Sequence, residues 1–162
     1  MSNMIVGDIL TPNKASSYYP IICHQVNCKG VMGGGLAKQI RDVYPNVYYV
    51  YKRKCEAMKR GIGGLGDVLY IPVPESGFII ANIFGQDGYG RDKCYTDYDA
   101  LRKAFTSIFL EFPNQTIRIP YKFGCGLAGG DWDIVWSIIC DTLIKNGMNV
   151  EVWKLPNLES AT

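Results

Sequence analysis

His24-Gln25-Val26-Asn27-Cys28-Lys29-Gly30-Val31-Met32-Gly33-Gly34-Gly35-Leu36-Ala37 starts at the end of a buried strand, passes through four glycines and re-emerges with helical spacing. Strand, glycine turn and helix start in that order are the building unit of an α/β fold. Leu36, Ile40, Val43, Tyr44, Val47, Tyr48 and Tyr51 continue the helical pattern, and Pro45 ends one helix while opening the next. Three consecutive glycines at a helix entrance are costly to order, so loop filling explains them poorly. They let the backbone come close to a ligand, and the unpaired N–H groups of the helix start point at it, an arrangement suited to phosphate.

Outward from this unit, short β-branched or aromatic runs predict six strands, at 4–6, 21–26, 67–72, 78–83, 116–120 and 150–155. Apolar faces at Tyr98, Leu101, Phe105, Ile108 and Phe112, and at Trp132, Val135, Trp136, Ile139 and Leu143, predict two further helices, the second capped by Gly147. The 67–83 pair is joined by a short turn, so the sheet is mixed. Strands interleaved with amphipathic helices predict a three-layer α/β/α sandwich around about six strands. Residues 1–155 form one domain in this reading, followed by a flexible tail at 156–162. Gly61 to Gly66 and Gly85 to Thr96 read as loops.

Ile119-Pro120-Tyr121-Lys122-Phe123-Gly124-Cys125-Gly126-Leu127-Ala128-Gly129-Gly130-Asp131-Trp132 repeats the pattern of strand, glycine turn and helix. Ligands of open α/β sheets sit beyond the carboxyl ends of the strands, so the two turns are expected to flank one crevice and clamp a diphosphate. Leu36 and Ala37 stand where a Walker loop needs Lys and Ser or Thr, which excludes an ordinary P-loop. Gly124 to Gly129 matches GxGxxG with Glu151 about twenty residues on. That match lies in the last β-α-β unit, with Glu151 inside the predicted strand, so a nucleotide redox enzyme is the weaker reading.

The chain has 162 residues, is 48% hydrophobic and 20% charged, and carries a net charge of +2, which gives no strong footprint for nucleic acid or membrane. The start lacks a signal-peptide pattern and no apolar run reaches membrane-span length, so a cytoplasmic protein is expected, with a monomer favoured. Cys23, Cys28, Cys55, Cys94, Cys125 and Cys140 include no CxxC, and His24 is the single histidine. Free thiols and no metal or cofactor are expected.

Gly7-Asp8-Ile9, the turn from Val26-Asn27 to Gly35-Leu36-Ala37 and Gly124-Cys125-Gly126-Leu127 together resemble macro domains over nearly the whole chain. His24, Asn27 and Gly33 to Ala37 look most similar to the branch of ADP-ribose 1''-phosphate phosphatases and small ADP-ribosyl-ester hydrolases. The resemblance implies that Asp8 reads the adenine amino group and Ile9 shapes the adenine pocket. It also implies that Gly33, Gly34, Gly35 and Leu36 line the diphosphate and distal ribose, opposite Gly124, Cys125, Gly126 and Leu127. A turn aspartate satisfying its own backbone would look the same as Asp8.

The lysine of the covalent ester hydrolases is absent from Asn82-Ile83-Phe84-Gly85-Gln86, and Ala128 stands near the place of its partner aspartate. A lysine adduct is therefore not carried over. His24 and Asp131 match the phosphatase branch as proton-handling residues, with Asn27 orienting the distal ribose or a water. Each has a structural alternative: a core histidine, a helix N-cap and a residue that holds the glycine turn. Phe123 and Tyr121 border the ribose or belong to the core, and the polar stretch from Gln86 to Tyr95 is expected to cover the ligand or to read what is attached to it. The expected function is binding of ADP-ribose with hydrolysis of a bond at its distal ribose; the alternative is a binding module without catalysis.

Overall fold

A computed structural model describes residues 2–14 and 18–156 of the chain. Six strands form one sheet: β1 (Ser2–Val6), β2 (Ile21–Asn27), β3 (Val68–Val73), β4 (Phe78–Gln86), β5 (Ile117–Pro120) and β6 (Val150–Lys154). Their spatial order is β1-β6-β5-β2-β4-β3. All neighbouring pairs are parallel except β3 and β4, whose antiparallel register turns through Pro74–Ser76. All six predicted strands are present, with ends shifted by a few residues. The expected tail lies, beyond Pro156, outside the described residues.

β2 is central and flanked by parallel strands, so both of its faces are buried, and Ile21, Ile22 and Cys23 run together rather than alternating with exposed polar residues. Ile21 and Cys23 face a core shared with Leu101, Phe105, Ile108 and Val135. Ile22 and Val26 face the opposite core, shared with Ile40, Tyr51, Phe78 and Phe84. The first core lies under α3 (Tyr98–Glu111) and α4 (Trp132–Ile139), the second under α1 (Gly35–Val43) and α2 (Pro45–Lys59). This is the expected three-layer sandwich. Pro45 occupies the first turn of α2, where its missing N–H costs nothing. Beyond α4 the backbone widens into a π-helical turn, Cys140–Ile144, before Gly147 adopts φ 87° and sends the chain into β6.

Candidate functional site

Five of the six strands run in one direction, so their carboxyl ends share one edge of the sheet. The loops after β2, β4 and β5 meet there and enclose a cavity of about 500 Å³. Gly33, Gly34, Gly35 and Leu36 line one wall, and Phe123, Gly124, Gly126 and Leu127 another. The walls nearly touch: a Cβ built on Gly34 would lie 2.7 Å from Leu127 Cδ1. The two glycine turns, separated by almost ninety positions in the chain, thus face each other across one space.

Local chemistry fixes each turn. Asn27 at the end of β2 accepts through Oδ1 from Lys29 N (3.0 Å), Val31 N (3.3 Å) and the Tyr51 hydroxyl (2.8 Å), and its Nδ2 donates to Val31 O (2.8 Å). The side chain thereby wraps the loop around itself, and Tyr51 on α2 locks it from behind. Gly34 then caps α1 without any side-chain hydrogen bond, so the first-turn N–H groups of α1 have no side-chain acceptor. In the second turn Lys122 (φ 60°) is the only non-glycine in the left-handed region among the described residues, and Gly124 (φ 73°) follows two positions later. Gly124 O accepts from Gly130 N (2.9 Å) and from the Thr96 hydroxyl (2.6 Å).

That threonine belongs to a bracing system. Gln25 Nε2 donates to Gln86 Oε1 (2.8 Å) and to Thr96 Oγ1 (3.0 Å), and Gln86 Nε2 donates to Gly88 O (2.8 Å). The 86–96 loop is further tied to the first turn by Cys28 N donating to Asp87 O (3.0 Å), and to the second by Tyr95 N donating to Ala128 O (2.7 Å). It therefore spans the cavity as a roof anchored at both ends, with Gln86, Tyr89, Gly90 and Arg91 lining the interior.

His24 lies in the cavity wall, 2% exposed, with Nε2 2.6 Å from Asn82 Oδ1. Asn82 Nδ2 donates to Leu69 O (2.9 Å), which leaves its Oδ1 as the acceptor and places the imidazole proton on Nε2. Nδ1 is then a bare lone pair with no partner among the described residues. Burial pushes the His24 pKa down to about 4, against the opposing effect of the Asn82 hydrogen bond. The ring is neutral at physiological pH. On unfolding the pKa returns to about 6.5, so the unfolded chain takes up a proton that the folded one refuses. Stability is therefore expected to fall as pH drops from about 6.5 toward 4, by at most about 1.4 kcal/mol per unit. Denaturant titrations at several pH values check this: a His24→Gln variant should show a shallower loss over that window, and an identical slope would assign the effect elsewhere.

Several expected site residues lie elsewhere. Asp131 is exposed, caps α4 by accepting from Asp133 N (2.8 Å), and is not part of the cavity wall. The lining ends at Ala128, and Gly129 and Gly130 separate Asp131 from it, so Asp131 is not in the wall beside His24. Asn27 lines the cavity, but its amide is committed to the turn, the structural alternative. Asp8 accepts from its neighbour Leu10 N (2.9 Å) and, with buried Ile9, stands outside the lining. Cys125 turns its thiol back to Phe123 O (3.2 Å), and burial pushes its pKa up to about 11. Phe123 belongs to both readings: it packs on Phe105 in the core and floors the cavity.

The GxGxxG match does not form a dinucleotide turn, since α4 begins only at Trp132, after the motif. Glu151 instead accepts from Trp153 Nε1 (3.1 Å) and neighbours Arg118. Gln25 and Lys122 line the cavity without having been singled out in the sequence. A glutamine facing a parallel-sheet interior was the available signal for the first; a lysine in left-handed backbone leaves none. All six cysteines are free, and no metal-binding cluster occurs among the described residues.

No family model matches the chain. The ADP-ribose 1''-phosphate phosphatase of Saccharomyces cerevisiae is 31% identical over 136 residues, 80% of this chain and 74% of that protein. A protein of unknown function from Bacteroides thetaiotaomicron superposes with a TM-score of 0.81 at 26% identity, covering 96% of this chain and 98% of the other. A macrodomain protein from Streptomyces coelicolor superposes with a TM-score of 0.75 at 26% identity, covering 94% and 98%.

Proposed function

We propose, from the fact that this chain belongs to the macro domain family, that it binds ADP-ribose and hydrolyses a derivative substituted at the distal ribose. One observation carries the binding: two glycine turns line one cavity, so close that a Cβ on Gly34 would meet the Leu127 side chain. A pyrophosphate needs several convergent N–H donors and little else. In this reading Gly33, Gly34, Gly35 and Leu36 hold it from one side and Gly124, Gly126 and Leu127 from the other, within a single domain over residues 1–155. Asp8 and Ile9 serve the adenine, further toward the β1 edge of the sheet.

The hydrolytic half draws on the yeast phosphatase relative. In this proposal a water or ligand atom must open the wall to reach the buried Nδ1 of His24, which then acts as a hydrogen-bond acceptor and not as an acid, because its one proton is committed to Asn82. A second reading, a module that binds without turnover, is favoured by Asp131 lying outside the cavity and Asn27 being spent on the turn. The protein acts in this proposal as a cytoplasmic monomer, without a membrane or nucleic-acid partner.

Calorimetry with ADP-ribose, NAD and ATP, together with phosphate release from ADP-ribose 1''-phosphate, tests the proposal. Tighter binding of ADP-ribose than of either nucleotide is expected, with release of phosphate. Binding without release selects the second reading, and equal binding of all three ligands rejects both.

A further inference from the structure

The roof carries a cation that the pyrophosphate clamp does not use. Arg91 lines the cavity, and among the described residues it has no ion-pair or hydrogen-bond partner. The nearby carboxylates are already engaged: Asp92 Oδ1 accepts from the Tyr95 hydroxyl (2.7 Å), and Asp87 pairs with Lys29 (3.3 Å). The loop is built to present this residue. Gly90 adopts φ 148°, and a Cβ there would lie 2.7 Å from Asp92 Oδ1 and 3.3 Å from the Tyr95 ring, so only glycine lets the backbone fold this tightly just before Arg91. Its two ends are fastened to the two glycine turns by Cys28 N to Asp87 O and Tyr95 N to Ala128 O.

The roof is a separate segment from the clamp. The glycine turns follow β2 and β5, which are neighbours, whereas the roof follows β4, on the other side of β2. Arg91 lines the same cavity as both turns, so an anion that reaches it there is a further group of the bound ligand, outside the backbone of the clamp. We propose that Arg91 is a specificity determinant of this cavity, receiving a phosphate borne by the distal ribose and so favouring 1''-phosphorylated ADP-ribose over ADP-ribose itself. The assignment rests on the ADP-ribose reading of the site. A guanidinium offers two parallel N–H donors that match a phosphate dianion, which a neutral ester does not exploit.

The probes are ADP-ribose and its 1''-phosphonate, in which a P–C bond replaces the ester linkage so that nothing is cleaved, both titrated by calorimetry into wild-type protein and Arg91→Gln. Wild type should bind the phosphonate roughly tenfold more tightly than ADP-ribose, on the scale of a charge-assisted pair at a partly exposed site. Arg91→Gln should abolish that preference while weakening ADP-ribose less than about threefold, and Arg91→Lys should restore part of it. A preference that survives Arg91→Gln overturns the proposal, as does wild type without one. An equal loss for both ligands would also overturn it, by assigning Arg91 to the pyrophosphate. If wild type binds neither probe, the ADP-ribose reading itself fails, a result distinct from the others.

Discussion

A Gly34→Val protein is expected to fold normally and to lose affinity for ADP-ribose by at least about a hundredfold, or about 2.7 kcal/mol. Gly34 has φ −150° and ψ 164°, an extended conformation that valine adopts readily, so the backbone does not require glycine here. Space does. The first added carbon would already stand 2.7 Å from Leu127 Cδ1. Leu127 is 49% exposed and can swing aside, so the fold is spared, with stability changing by less than about 1 kcal/mol. The branched side chain would still occupy the gap through which both turns address the ligand. Calorimetry for affinity and denaturant unfolding for stability separate the two effects. Retained affinity would show that the gap is not where the pyrophosphate lies.

Asn27→Ala should do the opposite and damage fold and affinity together. Four hydrogen bonds end on this side chain, three of them from or to the backbone of the first turn. Removing it strands Lys29 N, Val31 N and Val31 O at a position 7% exposed, although Tyr51 keeps the Asn27 carbonyl (2.7 Å) as an acceptor. At about 1 kcal/mol for each lost bond, destabilisation of roughly 3 kcal/mol is expected. Ligand affinity should fall with it, because the amides that follow lose their fixed direction. A residue that only oriented a water would behave differently, lowering kcat at unchanged stability. Unfolding curves run beside turnover measurements distinguish the two roles.

The layering was legible in the sequence because it depends on local periodicity. Leu36 to Tyr51 at helical intervals, broken by Pro45, and the short apolar start of β2 each have one natural reading, and both turns are visible as glycine runs after strands. Side-chain commitments were less legible, because they depend on partners far away in the chain. Asp131 had two readings, and the hydrogen bond it accepts from Asp133 N, which makes it the N-cap of α4, appears only in the folded chain. His24 looked like a titrating group until Asn82, fifty-eight positions away, fixed its proton on Nε2. Gln25 meets Gln86 and Thr96 only once β2 and β4 are adjacent, so nothing near it in sequence marks it as a brace.

The pairing of the two outermost chain segments has a practical corollary. β1 and β6 run side by side in the same direction, with Ser2 opposite Val150 and Val6 opposite Lys154. Lys154 thus ends on the face that carries the ligand cavity, whereas Ser2 starts on the opposite face. Cargo inserted directly behind Lys154 would start at the same sheet edge as the cavity, while cargo placed directly ahead of Ser2 would start at the opposite edge.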